Sequence, residues 1–195
     1  MDIKEQLRKV NEKLKDYPDV KIVAATKYIT VEQLQEVIDA GIKDLGENRT
    51  DSFLEKYEAY KHMDDLTWHF FGVLQTRKVR GIIDKIDYLH SLDNLSLANE
   101  INKRRTTPLR CFVQVNVSAD PNKSGIDETK VISFIKSLAK YENIIVVGLM
   151  TITRLTFDED LLESYFEAMQ ELRRDVQALN LPYAPCTELS MGMSN

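Results

Sequence analysis

Along this chain the spacing of apolar residues switches repeatedly between a helical period and short continuous runs. Ile3, Leu7, Val10 and Leu14 lie at spacings of 4, 3 and 4, which is one stripe of an amphipathic helix. Lys21 to Thr26 is then a short apolar run between Pro18 and the polar Lys27, the pattern of a buried parallel strand. Thr30 is placed to cap a helix through Val31, Leu34, Val37 and Ile38, and Gly41 to end it. The same rhythm continues to the end of the sequence. Strands are expected near 42–45, 66–71, 88–90, 110–117, 144–150 and 186–189, with helices near 51–63, from 75, from 94, over 127–138 and over 162–179. Asp93 or Asn94 is placed to cap the helix through Leu97 and Ile101.

Strand–helix alternation of this kind implies a parallel sheet with right-handed crossovers. Seven strands in series fit a doubly wound sheet or most of a (β/α)8 barrel. No G-x-G-x-x-G follows the first strand and no P-loop occurs, which weakens the nucleotide-binding doubly wound alternative. The expectation is therefore an α/β fold of the TIM (β/α)8-barrel type, with the eighth strand missing.

In such a barrel the chemistry lies at the C-terminal strand ends. There the sequence offers Lys27, then Glu47 and Asn48, His69 and Gly72, His90 and Ser91, Asn116 and Ser118, Met150 and Thr151, and Ser190 to Asn195. A strand-end lysine is ordinarily solvated, but at a barrel mouth its amine can also form a Schiff base once burial or a nearby cation favours the neutral form. Ser190 to Ser194 is a small, hydroxyl-bearing segment after the seventh strand, where this fold usually binds phosphate; the plainer reading is a Ser/Gly turn. A Schiff-base lysine and a phosphate cup on one face together point to pyridoxal phosphate (PLP). His69 and His90 have no third ligand at metal-binding spacing, so no metal is expected and they read as core or supporting histidines. Arg77, Lys78 and Arg80, and likewise Lys103, Arg104 and Arg105, read as solvated helix faces. Cys111 reads as a small buried hydrophobe.

Charge excludes some partners. The 26 Lys+Arg against 31 Asp+Glu leave a net charge of −5, which argues against a protein that grips nucleic-acid backbones. No apolar run approaches the roughly 20 residues of a membrane span. Two cysteines, Cys111 and Cys186, without a C-x-x-C, fit a reducing cytoplasm.

Six motifs then give the sequence a resemblance. They are Ala24-Ala25-Thr26-Lys27; Gly46-Glu47-Asn48; Trp68-His69-Phe70-Phe71-Gly72 followed by Leu74, Gln75 and Lys78; Asn116, Ser118 and Lys123-Ser124-Gly125; Gly148-Leu149-Met150; and Ser190-Met191-Gly192-Met193-Ser194. In this order they resemble the YggS/PROSC family of PLP homeostasis proteins, related to the N-terminal barrel of alanine racemase, over essentially the whole chain.

The resemblance implies a single cytoplasmic, monomeric domain over 1–195, holding PLP as a Schiff base on Lys27. Asn48 would lie beside the cofactor, and Ser190, Gly192, Met193 and Ser194 would cradle its phosphate. It implies carrying, buffering or delivering PLP, with PLP-dependent apoenzymes as recipients and no catalytic residues. The alternative is a PLP-dependent racemase or related enzyme. Such an enzyme needs a second acid/base, which alanine racemase takes from another domain and for which this chain has no room. The family continues beyond S-x-G-M-S with a helix and a last strand, so the domain is expected to be C-terminally incomplete, with the first and seventh strands as open edges.

Overall fold

Periodicity and capping together place the helices. A computed structural model describes residues 3–120, 123–153 and 158–191. The chain divides into two compact units, Met1–His69 and Phe70–Asn195.

The first unit begins with α1 (Ile3–Leu14), followed by β1 (Ala24–Ala25), α2 (Val31–Asp39), β2 (Asp44–Glu47), α3 (Thr50–Tyr60) and β3 (Thr67–Phe70). Thr30 caps α2 as expected: its side chain accepts from the Gln33 amide at 3.3 Å, and the Gln33 side chain accepts from the Thr30 amide at 2.9 Å. Gly41 follows the helix at φ +97°, the left-handed conformation that turns the chain out of a helix. β1 and β2 are parallel, with Ala24 opposite Leu45 and Ala25 opposite Gly46. Leu34, Val37, Ile38, Leu45, Phe53 and Trp68 form the core. Phe53 meets Trp68 edge-on at 5.6 Å, and the Tyr60 hydroxyl donates to the Val31 carbonyl at 2.9 Å, tying α3 to the start of α2.

The second unit contains α4 (Thr76–Ile82), β4 (Tyr88–Leu92), α5 (Leu95–Arg104), β5 (Leu109–Asn116), β6 (Ile126–Asp127), α6 (Val131–Ser137), β7 (Ile144–Met150), α7 (Glu159–Ala178) and β8 (Glu188–Ser190). Asn94 caps α5, accepting from the Leu97 amide at 2.8 Å. Asp158 caps α7, accepting from the Leu161 amide at 3.0 Å. The strands run parallel in the order β4-β5-β7-β8, with β6 beside the end of β5. Val79, Ile82, Leu97, Ile101, Val131, Ile135, Met169, Leu172 and Val176 turn the helices' apolar sides inward onto buried β4, β5 and β7.

The expected α/β fold of parallel strands is therefore present, with three differences of detail. The first strand is two residues rather than the run 21–26, because only Ala24 and Ala25 find parallel partners on β2. β6 was not expected: two residues after Gly125 pair with Val115 and Asn116, too short a run to carry any period. Arg105 is not a solvated side chain. Its guanidinium donates to the Ile83 carbonyl at 2.9 Å and the Thr107 carbonyl at 3.0 Å, satisfying a carbonyl left open at the C-terminus of α4.

Candidate functional site

At the end of β1 the chain carries a buried residue and then a half-buried lysine. Thr26 is 1% exposed. Its amide donates to the Gly46 carbonyl at 2.9 Å, and its hydroxyl donates to Glu47 Oε1 at 2.8 Å. These bonds extend the β1–β2 register by one step, so Thr26 stands against Glu47 and the next two residues, Lys27 and Asn48, leave adjacent strand ends together. The structure thus brings these two expected site residues to one place. Lys27 Nζ lies 4.8 Å from the ring centroid of the exposed Tyr28.

Beneath them is an ion pair that the sequence reading missed. Lys56 and Glu47 side chains are 2% and 1% exposed. Lys56 Nζ donates to Glu47 Oε1, to the Thr26 carbonyl at 2.6 Å and to Ser52 Oγ at 3.2 Å, which uses all three ammonium donors. Glu47 Oε2 accepts from the Asn48 amide at 3.3 Å. One signal for Lys56 is present in the sequence. Thr50, Phe53, Lys56 and Tyr60 share the buried side of α3, so a lysine occupies a stripe where a hydrophobe is the norm.

Asn48 Oδ1 is buried and has no hydrogen-bond partner among the described residues. A buried acceptor left unmatched costs about 1–3 kcal/mol, so it calls for a partner such as a bound water, ion or ligand. The local groups suit PLP in kind: an amine at Lys27 for an aldehyde, and an unmatched acceptor at Asn48 Oδ1 for a polar ring substituent.

The second unit places Ser190 at the last position of β8, opposite Met150. The Thr151 amide donates to the Ser190 carbonyl at 3.1 Å, and the Thr151 hydroxyl donates to the Val115 carbonyl at 3.0 Å, fixing the ends of β5, β7 and β8 relative to one another. β8 can lie this close only because residue 148 is glycine. A Cβ there would stand 2.1 Å from the Glu188 carbonyl oxygen. Ser190 Oγ and His90 Nδ1 are 2.7 Å apart. Gly192, Met193 and Ser194, the other expected phosphate-cradle residues, lie outside the described residues.

The loop after β5 is built by Asn116. Its Nδ2 donates to the Asp120 carbonyl at 2.7 Å, and its Oδ1 accepts from the Ser118 hydroxyl at 3.3 Å. Gly125, at φ +116°, closes the loop where a Cβ would stand 2.9 Å from the Asn116 nitrogen. Lys123 Nζ donates to the Ile152 carbonyl at 3.0 Å, linking this loop to the end of β7. The two strand-end histidines have side-chain partners: His69 Nε2 lies 3.0 Å from Asp44 Oδ1, and His90 meets Ser190.

Known proteins resemble this chain in sequence and in fold. The family model described as alanine racemase, N-terminal domain, matches residues 2–195. A pyridoxal phosphate homeostasis protein of Aquifex aeolicus (strain VF5) is 36% identical over 181 residues, covering 90% of this chain and 77% of its own length. A protein of the same name from Synechocystis sp. (strain ATCC 27184 / PCC 6803 / Kazusa) is 34% identical over 182 residues, covering 91% of this chain and 82% of its own. Among solved structures, PipY of Synechococcus elongatus PCC7942 with PLP bound is similar at a TM-score of 0.88 and 28% identity, over 98% of this chain and 89% of PipY. Without PLP the TM-score is 0.90 at 29% identity, over the same 98% and 89%.

Proposed function

This chain belongs to the alanine racemase N-terminal domain family, among its pyridoxal phosphate homeostasis members, and we propose that it carries or buffers PLP as a Schiff base on Lys27 without catalytic turnover. The observation that carries the reading is the pairing of Lys27 with Asn48 at adjacent strand ends, above a buried ion pair and with Asn48 Oδ1 buried and unmatched. PLP supplies an aldehyde that condenses with a neutral primary amine, releasing water. Lys27 supplies that amine. On this reading Asn48 would border the ring, and Ser190, Gly192, Met193 and Ser194 would hold the phosphate. The name of the relatives and the PLP bound in PipY support this assignment.

The same reading takes 1–195 as one domain of the (β/α)8-barrel type. The parallel strands and the family match over 2–195 support it. A cytoplasmic monomer that hands PLP to apoenzymes fits two buried thiols and a net charge of −5. No helix among the described residues is long and apolar enough to cross a membrane.

Adding PLP to the protein is expected to produce a visible Schiff-base absorption band and, after borohydride reduction, a covalent mass increase at Lys27. Both are lost in Lys27→Ala. A wild-type protein indistinguishable from Lys27→Ala in spectrum and mass overturns the reading. Racemisation of free amino acids well above that of PLP alone would favour the enzyme alternative.

A further inference from the structure

The contact between His90 and Ser190 spans an unusual distance in the fold. In the second unit the strand order is β4-β5-β7-β8, so β4, which carries His90, is three places from β8, which carries Ser190. Strands in a flat sheet are spaced about 4.8 Å apart, which would separate these two by roughly 14 Å. A 2.7 Å contact between their side chains therefore requires this part of the sheet to curl, with both side chains on its concave side.

His90 is held rigidly there. It is 4% exposed and stacks on Phe112 at a centroid distance of 4.3 Å and an interplanar angle of 24°. Phe71 meets it edge-on at 6.1 Å and Tyr88 packs at 6.4 Å. With the ring fixed, Nδ1 governs the Ser190 hydroxyl. That hydroxyl has one proton to donate and lone pairs to accept with. If Nδ1 is bare, the serine proton goes to it and only lone pairs are left to face an anion. If Nδ1 carries the proton, Ser190 accepts from it and its own proton is left for a phosphate oxygen.

We infer that His90 is a positioning residue that acts through Ser190: by donating from Nδ1 it turns the serine hydroxyl into a phosphate donor. This rests on the assignment of Ser190 to the phosphate site made above. It adds a device that selects for the phosphorylated form of the cofactor over the free aldehyde.

The test compares PLP with pyridoxal, which lacks the phosphate, in wild type, Ser190→Ala, His90→Phe and His90→Asn. His90→Phe is expected to weaken PLP binding by about ten- to a hundredfold, the worth of one hydrogen bond to a charged group, and to leave pyridoxal binding unchanged. His90→Asn places an amide donor where Nδ1 was and is expected to recover most of the PLP affinity. In the unmodified protein, long-range proton–nitrogen spectra are expected to show His90 protonated at Nδ1 once inorganic phosphate or PLP is bound. Equal loss of PLP and pyridoxal in His90→Phe overturns the inference, since that is a packing defect. So does a His90 ring that stays bare at Nδ1 with phosphate bound, a result that needs no variant. If Ser190→Ala weakens PLP and His90→Phe does not, the inference fails and the phosphate assignment stands. If Ser190→Ala binds PLP as wild type does, the assignment itself fails.

Discussion

Lys56 and Glu47 form an ion pair whose side chains are 2% and 1% exposed, and the lysine of that pair also holds the carbonyl of the residue before Lys27. Burying two charges is costly, and apolar residues of similar size often serve stability as well. What such residues lack is a donor to the Thr26 carbonyl and an acceptor for the Thr26 hydroxyl. The pair thus fixes the end of β1, from which Lys27 departs. Lys56→Met strands the Glu47 carboxylate and is expected to cost about 3–5 kcal/mol in urea unfolding. Lys56→Met with Glu47→Met removes both charges and is expected to lose less than Lys56→Met alone, while PLP loading stays low. Strictly additive losses would show that the two residues are not coupled.

Gly148 sets the position of Ser190 from within the sheet. A Cβ at residue 148 meets the Glu188 carbonyl oxygen at 2.1 Å and the Glu188 carbonyl carbon at 2.6 Å. Backbone cannot swing aside as a side chain does, so β8 would have to move. Glycine to alanine in a strand ordinarily stabilises slightly by restricting the unfolded chain. Here the steric cost reverses the sign: Gly148→Ala is expected to destabilise by about 1–3 kcal/mol and to weaken PLP binding along with it. Unchanged denaturation and unchanged PLP titration would show that β8 is not held where Ser190 requires it.

The elements were legible wherever a local rule decides them. Stripes at helical spacing located the helices, and Thr30 and Asn94 cap as expected. Lys27 and Asn48 were legible as strand-end residues, and parallel register then joins them. What was hidden depends on partners distant in sequence. Lys56 is odd on an apolar stripe, yet only folding shows that Glu47 neutralises it. His90 and Ser190 stand 100 positions apart, and no periodicity reports the curl that joins them. Arg105 reads as one more charge on a helix face until α4 ends beside it. β6 is two residues, too few to leave a pattern.

The buried thiols give the protein an alkaline limit. Burial raises the Cys186 thiol from an ordinary 9.0 to about 12, the Arg173 guanidinium drawing it partly back. Burial pushes Cys111 up further still. Across this window the folded state keeps protons that the unfolded state has lost, so stability is fully present below about pH 9 and falls as pH rises towards 12. The slope is about 1.4 kcal/mol per pH unit for each thiol. Cys186→Ala is expected to flatten the decline in urea midpoints between pH 9 and 11. Parallel curves for the two proteins would mean that Cys186 ionises as readily folded as unfolded.

Asn48 separates binding from stability. Its Oδ1 is buried without a hydrogen-bond partner among the described residues, and such a group costs about 1–3 kcal/mol. Removing it from the PLP-free protein takes away that penalty. Against this stands the packing lost with the side chain, which Asn48→Leu makes good with a side chain branched at the same carbon and somewhat larger. Asn48→Leu is therefore expected to leave the PLP-free protein as stable as wild type or more so, with an unfolding midpoint that does not fall. The same change removes the amide from the neighbourhood of Lys27 and is expected to weaken PLP binding by about tenfold. Thermal unfolding with and without PLP reads both effects at once: the PLP-free midpoint holds or rises, and the upward shift on adding PLP shrinks. A lower PLP-free midpoint with an undiminished PLP shift would make Asn48 a packing residue rather than part of the cofactor site.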